Sequence, residues 1–218
     1  MEVREATSSD NQVLQARCPQ GTSLIATVVN TPDFFARAKA YQEYRVYAAS
    51  ELDQVIASAA CGVRQARIGT ELHRVGYEFQ YFTDPDHRRK GAARRLRESI
   101  EAWLVDQGAS LSYALIMESN FPSIRLFEGQ GFRRHRAVQL HVMLLYKEFD
   151  MAVHRLVRPI QAADYAAVAD LLNRTWRDHD LYEPVSADAV ARLLARLPAL
   201  DLGDTLVLED AWEVGSTR

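Results

Sequence analysis

A cluster of basic residues near the middle of the chain is the feature most able to do chemistry. The stretch "DHRRKGAARRLR" places six Lys or Arg residues between His87 and Arg97, around one glycine, Gly91. Positive side chains beside a glycine, which lets a ligand approach the backbone, are typical of anion-binding turns. Basic residues at the start of a helix are unfavourable unless an anion neutralises them. The cluster predicts a phosphate-like anion site, and a solvated helix face is the alternative.

A strand and a helix are predicted to position this cluster. The aromatic-rich stretch "HRVGYEFQYFT" is typical of a strand, and Pro85 ends it. Apolar residues then recur at helical spacing up to a capping Gly108, namely Leu96, Ile100, Trp103 and Leu104. The first N–H groups of such a helix have no internal acceptor. Neither a Walker-type loop nor a GxGxxG fingerprint is present, so the turn is of another kind.

The predicted element order over residues 1–150 is β, α, α, β, β, β, α, β, α, β, β. Apolar runs that flank "SELDQ" predict a hairpin, and one strand–helix–strand crossover runs from Tyr77 to Met117. Such a crossover implies one parallel pair inside a mostly antiparallel sheet. We therefore predict an α+β fold with flanking helices. Further predictions are a strand at Glu2, helices at 7–17, 30–44 and 120–131, a strand at 111–118, and two closing strands at 132–146.

The C-terminal part of the chain predicts an incomplete repeat of the first part. "VREATSSD" from Val3 and "VRPIQAAD" from Val157 share Val, Arg and Asp at the same spacing, 154 positions apart. Helices at 163–176 and 186–197 and the strand "DTLVLED" come after it. We expect one domain over residues 1–150 and a partial repeat over 151–218, too short for a full copy. Its apolar faces should pack on residues 1–150 of the same chain or of a second copy, which leaves a homodimer open.

Composition excludes several function classes. The chain has a net charge of −3, and 25% of its residues are charged, which argues against general nucleic-acid binding. No signal peptide or membrane-length apolar run is seen, so we expect a cytoplasmic protein without membrane contact. Cys18 and Cys61 lie far apart, and the six histidines lack metal-ligand spacing. We therefore expect reduced thiols and no metal.

Two motifs together resemble the GNAT superfamily of acetyl-CoA-dependent N-acetyltransferases. The cofactor motif of that superfamily, Q/R-x-x-G-x-G/A after a strand, here reads Arg88-Arg89-Lys90-Gly91-Ala92-Ala93. Its later motif here reads Asn120, Ser123, Leu126-Phe127 and Gly131-Phe132. The resemblance covers residues 1–150, and the predicted element order is also the GNAT order. The tail is similar to the first part of a second GNAT unit and lacks the cofactor motif.

This resemblance implies acetyl-CoA as co-substrate and an amine as acceptor. The basic side chains and the amides from Arg89 to Ala93 would hold the pyrophosphate. The strand residues Tyr81, Phe82 and Thr83 would bind the pantetheine arm, and a backbone N–H near Tyr81 would stabilise the oxyanion. The thiol side of the site would be lined by Asn120, Ser123 and Phe127.

The catalytic side chains are less clear from the sequence. Direct transfer requires a base that takes a proton from the amine, and our candidate is Glu78. Strand alternation puts Glu78 on the face opposite Tyr81 and Thr83 unless a bulge intervenes. His141 and Glu118 are weaker candidates. Many relatives protonate the leaving thiolate with a tyrosine, but the matching residue here is Phe127, which cannot.

Three functions are therefore compared. The first is transfer of an acetyl group to a small-molecule or peptide amine. The second is a non-catalytic acyl-CoA-binding domain, a sensor or the structural half of a tandem protein, which Phe127 and the missing second cofactor motif favour. The third is a nucleic-acid module that uses the basic face at 88–97. Near-neutral charge and the lack of interleaved aromatic residues argue against this third function.

Overall fold

A five-stranded sheet carries the basic turn. The computed structural model describes residues 1–17, 33–52, 54–139, 157–196 and 205–208. The order in the sheet is β1 (Glu2–Glu5), β2 (Glu43–Glu51), β3 (Gln54–Ile68), β4 (Glu71–Thr83) and β5 (Leu111–Ala114). Neighbours from β1 to β4 are antiparallel, whereas β5 is parallel to β4. The predicted α+β sheet with one parallel crossover is confirmed.

Helices cover both faces of this sheet. They are α1 (Asn11–Arg17), α2 (Ala92–Asp106) and α3 (Phe121–Glu128). One face packs on the apolar side of α2, and the other on Leu14 of α1 with Phe34 and Phe35. A Cβ at Gly76 would lie 2.7 Å from a methyl group of Leu104, so this glycine lets α2 approach β4 closely.

Some predicted elements differ from the structure. In its described part, the helix expected at 30–44 is a turn followed by a short 3-10 helix, Ala38–Ala40. Its last two residues, Glu43 and Tyr44, instead pair with β3 as the start of β2. The strand expected at 111–118 ends at Ala114, where its pairing with β4 stops. The closing strands expected at 132–146 are absent over residues 132–139, and residues 140–146 lie outside the described part.

A short segment far along the chain completes the edge of β3. Residues 179–183 belong to the same compact unit as residues 1–138. Leu181 N donates to Arg67 O at 2.7 Å, and Arg67 N donates to Tyr182 O at 2.8 Å. These bonds lie beyond Val63, the last residue of β3 that pairs with β2. The segment therefore occupies an edge that the sheet alone leaves open.

The second compact unit comprises residues 139–178 and 184–218. It contains the antiparallel strands β6 (Val157–Pro159) and β7 (Leu206–Leu208) and the helices α4 (Tyr165–Trp176) and α5 (Ala187–Arg196). Ser186 Oγ accepts from Ala189 N at 3.1 Å and so caps α5. No helix in the described parts of either unit is long and apolar enough to cross a membrane.

Candidate functional site

The turn between β4 and α2 has an unusual backbone. Asp84 opens the turn by accepting Asp86 N at 3.1 Å, and Pro85–His87 forms a short 3-10 helix. Arg89 has φ of 60° and Gly91 has φ of 86°. Left-handed residues in such a turn let successive N–H groups point to one side, which makes a concavity for anions. A Cβ at Gly91 would meet nothing within 4 Å, so the backbone there is open to a ligand.

The first turn of α2 offers uncapped donors to this concavity. Gly91 has no side chain with which to cap the helix, and the first helical bond runs from Arg95 N to Gly91 O at 3.1 Å. In the described parts of the chain, the N–H groups of Ala92 and Ala93 donate to no acceptor. Partial positive charge at the helix start then adds to the exposed side chains of the turn. Those side chains are Arg88, Arg89 and Lys90.

The gap between β4 and β5 starts where their pairing ends. The last pair of the ladder is Glu78 with Ala114, yet β4 continues to Thr83. The other edge of β4 stays paired with β3 to the end of the strand. Within the described residues, Tyr81 and Phe82 therefore have a strand on one side only. An extended ligand can add to such an edge through backbone hydrogen bonds.

A β-bulge interrupts β4 at the start of this gap. Ala60 pairs with Phe79 and Ser58 pairs with Phe82, so two residues of β4 lie opposite one residue of β3. Gln80, one of those two, has φ of 53°. The extra residue moves Tyr81 onto the same face as Glu78, where plain alternation would separate them. The bulge that the sequence left open as an alternative is thus present.

The Glu78 side chain has no exposed surface. One carboxylate oxygen accepts the Tyr81 hydroxyl at 2.6 Å, and the other accepts the Ser112 hydroxyl at 2.8 Å. The Arg97 Nε lies 4.0 Å away. Burial raises the pKa of Glu78, although both hydroxyl groups and Arg97 favour its charged form. As a direct base, Glu78 would first have to lose a hydrogen-bond partner and gain access to the acceptor.

Phe127 lies against the same group of residues. It is buried, and its ring meets the rings of Tyr81 and Phe132 edge-on, with centroids 5.2 Å and 4.9 Å away. The Arg97 guanidinium stacks 4.6 Å above the Phe132 ring and donates to Glu101 at 2.9 Å. A phenylalanine at position 127 offers ring contacts and no proton. Protonation of a leaving group from this position is therefore excluded.

The two remaining predicted residues lie at the start of α3. Asn120 caps this helix, because its side-chain oxygen accepts Ser123 N at 3.3 Å. Asn120 is exposed and Ser123 is half-buried. Their described contacts are those of a helix cap, so a contact with a ligand remains a prediction.

Sequence reasoning missed two members of the Glu78 cluster, Ser112 and Arg97. Ser112 was one polar residue in a short strand, and Arg97 was one of six basic residues in a run. The only signal for Arg97 was its place next to Leu96 on the apolar side of the helix. Glu118, the weaker base candidate, is exposed, and His141 lies outside the described residues. The described residues include no group of three or more potential metal ligands.

The family model for the acetyltransferase (GNAT) family matches residues 13–132. This match covers more than half of the chain and includes both sequence motifs. The chain belongs to the GNAT family. Membership in this family supports acetyl transfer in general and identifies no acceptor. A search of curated proteins gives no match.

Solved structures with the same fold include GNAT N-acetyltransferases. An aminoglycoside antibiotic 6'-N-acetyltransferase from Acinetobacter haemolyticus is 18% identical with a TM-score of 0.54, over 66% of this chain and 99% of that chain. An Agrobacterium tumefaciens putative acetyltransferase is 14% identical with a TM-score of 0.53, over 66% and 100%. The aminoglycoside N-acetyltransferase AAC(6')-Iy, in complex with CoA, is 14% identical with a TM-score of 0.52, over the same shares. At these identities the likeness shows a shared fold.

Proposed function

We propose that this GNAT domain transfers the acetyl group of acetyl-CoA to an amine by direct attack on the thioester. The observation that carries the proposal is the turn from Arg88 to Ala93. This turn has residues with left-handed backbone, open space at Gly91, and helix N–H groups without a cap. Because these features present N–H donors at the positive end of a helix, they suit a pyrophosphate better than a neutral ligand. The exposed basic side chains Arg88, Arg89 and Lys90 add charge-assisted donors.

The gap beside β4 is the proposed place for the pantetheine arm and the thioester. The free edge at Tyr81, Phe82 and Thr83 can bind an extended amide chain through the backbone. The bulge at Gln80 turns the backbone at the start of this gap. An amide near Tyr81 would then stabilise the oxyanion as the amine attacks the carbonyl carbon. In this arrangement Asn120, Ser123 and Phe127 border the thiol end.

Proton transfer depends on the side chains that are present. The attacking amine must be neutral, and CoA leaves as a thiolate, because Phe127 has no proton to give. The proton that attack leaves on the amine nitrogen passes to water as the amide forms. A free thiol has a pKa of about 8.5, so its thiolate is a fair leaving group at neutral pH without an acid. We therefore expect turnover to rise with pH as the acceptor amine loses its proton.

A non-catalytic acyl-CoA-binding domain is the second candidate. Two observations favour it: Phe127 replaces the tyrosine acid, and Glu78, the candidate base, is buried with both oxygens occupied. This domain would share the Arg88–Ala93 turn and the free β4 edge with the enzyme. It would differ only in the absence of turnover.

A thiol-release assay distinguishes the two candidates. The full chain is mixed with acetyl-CoA and with each of a panel of amines: a polyamine, an aminoglycoside, free amino acids and peptides with free N-termini. Release of CoA above the rate without acceptor, together with an acetylated product by mass spectrometry, supports the transferase. Tight CoA binding by calorimetry without turnover on any amine supports the binding domain. The absence of CoA binding contradicts both.

We also propose that residues 151–218 repeat the first half of a GNAT unit. Val157 and Arg158 come 154 positions after Val3 and Arg4. Each segment forms a short strand, a 3-10 turn and then a helix. Among the described residues of the second unit, no strand leads into a basic turn and helix like that at Arg88–Ala93. The cofactor site would thus belong to the first unit alone.

A further inference from the structure

We infer that Glu78 is a positioning residue: with Tyr81 and Ser112 it forms a strap that closes the β4 bulge and ties it to β5. This inference rests on the proposed transferase function, because the strap acts on the backbone that would hold the thioester. The strap is defined as the two hydrogen bonds from the Tyr81 and Ser112 hydroxyls to the Glu78 carboxylate.

The strap spans the place where the sheet opens. Glu78 is the last residue of β4 that pairs with β5, and its partner there is Ala114. Ser112 lies on β5 two residues earlier, so its bond to Glu78 crosses between the strands just before the gap. Tyr81 lies three residues further along β4, so its bond to Glu78 crosses the bulge. One carboxylate thus fixes both the width at the gap and the shape of the bulge.

The bulge requires such support, because its backbone is strained. Gln80 has φ of 53°, a left-handed conformation that is unfavourable for a residue other than glycine. On the opposite face of the sheet, the Gln80 side chain donates to Phe34 O at 3.1 Å. Contacts on both faces therefore hold the same turn of the chain. The strap supplies the contact on the α2 side.

The geometry favours a strap over a base. A base must reach the acceptor, yet the Glu78 side chain has no exposed surface and both oxygens already accept hydroxyl protons. Glu78 also lies on the face that α2 covers, next to the buried Arg97. Its neighbours Tyr77 and Phe79 point to the other face, where they pack with Phe34 and Phe35.

The two roles predict opposite results for Glu78→Gln. Glutamine keeps an oxygen that accepts from Tyr81 and an amide that can donate to Ser112, so a strap survives, whereas a base is lost. We expect Glu78→Gln to retain turnover within about threefold. Loss of a general base lowers turnover by about 10²-fold or more. Tyr81→Phe keeps the ring against Phe127 but removes the hydroxyl. We expect this variant to lower kcat about tenfold. Complete loss of an oxyanion donor lowers kcat about 10²–10³-fold, and here the donor is only displaced.

The experiment measures kcat and the KM for acetyl-CoA in Glu78→Gln, Tyr81→Phe, Ser112→Ala and the control Glu101→Gln. Glu101 is exposed and pairs with Arg97 outside the strap, so its variant should stay within about twofold of wild type. Lower kcat in Tyr81→Phe and Ser112→Ala with an unchanged KM supports the strap, because the pyrophosphate turn is not altered. A non-additive effect in the Tyr81→Phe/Ser112→Ala double variant would show that the two bonds act together.

Two outcomes overturn the strap. One is a large loss in Glu78→Gln with normal turnover in Tyr81→Phe, which makes Glu78 a base. The other is normal turnover in all three strap variants. If wild type turns over no amine, the transferase proposal fails separately, and amide hydrogen exchange over residues 79–83 is the readout. Faster exchange in Tyr81→Phe, by about fivefold, then supports the strap, and unchanged exchange contradicts it.

Discussion

The first strand of each compact unit and the turn after it have the same local structure, but different elements come after them. In the first unit, Arg4 holds Asp10 through two bonds of 2.8 Å and 2.7 Å, and Thr7 N donates to the same carboxylate at 2.8 Å. In the second unit, Arg158 holds Asp164 through bonds of 2.7 Å and 2.8 Å. There the backbone N–H of Gln161 donates at 2.8 Å.

The two units are also alike in how their first strands, β1 and β6, pair with a later strand. Ala6 N donates to Val46 O at 2.7 Å, and Ile160 N donates to Thr205 O at 2.8 Å. Ala6 and Ile160 are again 154 positions apart. In both units the opening strand pairs antiparallel with a later strand, β2 or β7.

The two units differ in the elements that come after this shared start. The first unit continues through β3 and β4 into the basic turn, whereas the described residues of the second unit end at Leu208 of β7. An Arg, an Asp and a few backbone groups are enough to fix a strand–turn–helix start. The anion site proposed in the first unit combines a bulged strand, a glycine turn and an uncapped helix. Among the described residues, the shared local motif therefore occurs once with the turn proposed to hold the cofactor and once without it.

The largest effect is expected at the turn that only the first unit has. Gly91→Glu places a carboxylate at the proposed pyrophosphate site, and like charges should lower CoA affinity about 100-fold or more. Gly108→Glu is a matched control, because Gly108 also has positive φ, at 70°, and open space around its Cα, but lies at the other end of α2. Calorimetry should find normal affinity in this control. Equal losses in both variants would point to backbone strain instead of charge.

The Arg–Asp pairs should titrate alike. The pKa values of Asp10 and Asp164 are lowered from 3.8 to about 2. In each case the largest cause is the hydrogen bond from the arginine, and a backbone N–H adds to it. Because the folded-state pKa is lowered, each pair stabilises its unit fully above about pH 4, and this contribution is lost as the pH falls towards 2. NMR titration of the two carboxyl carbons, with Asp10→Asn to assign them, measures both values. An Asp164 pKa near 3.8 would break the equivalence of the two motifs.

A smaller effect is expected at Phe127. If the first unit is an active transferase without an acid, Phe127→Tyr should raise kcat about threefold and leave CoA affinity unchanged, because the thiolate already leaves well. The ring contacts with Tyr81 and Phe132 should persist in the variant. Phe132→Tyr, on the neighbouring ring, is the control that should not raise kcat. An unchanged kcat in folded Phe127→Tyr would show that position 127 is too far from the thiol to donate.

Features set by neighbouring residues could be predicted from the sequence. The basic turn, α2 and its end at Gly108 are indicated by glycine positions and apolar spacing within one short stretch. The helices predicted to start at residues 120 and 186 are indicated in the same way, and Asn120 and Ser186 cap them in the structure. Each depends on contacts between residues a few positions apart, which a sequence displays directly.

Features set by distant residues could not be predicted. The bulge at Gln80 depends on how β3 and β4 pair, so the face of Glu78 stayed open until the register was known. Residues 179–183 join the first unit through Arg67 and Gly69, more than 100 positions earlier, and nothing in their composition indicates this. The bond from Ser112 to Glu78 likewise joins two strands that a helix separates.

The most direct test of the central claim is the stoichiometry of CoA binding to the full chain. We predict one CoA molecule per chain by isothermal titration, bound through the Arg88–Ala93 turn of the first unit, with binding lost in Gly91→Glu and kept in Arg158→Ala. Two molecules per chain, or one that Gly91→Glu does not weaken, would contradict the claim that the shared start of the two units leads to a single cofactor site.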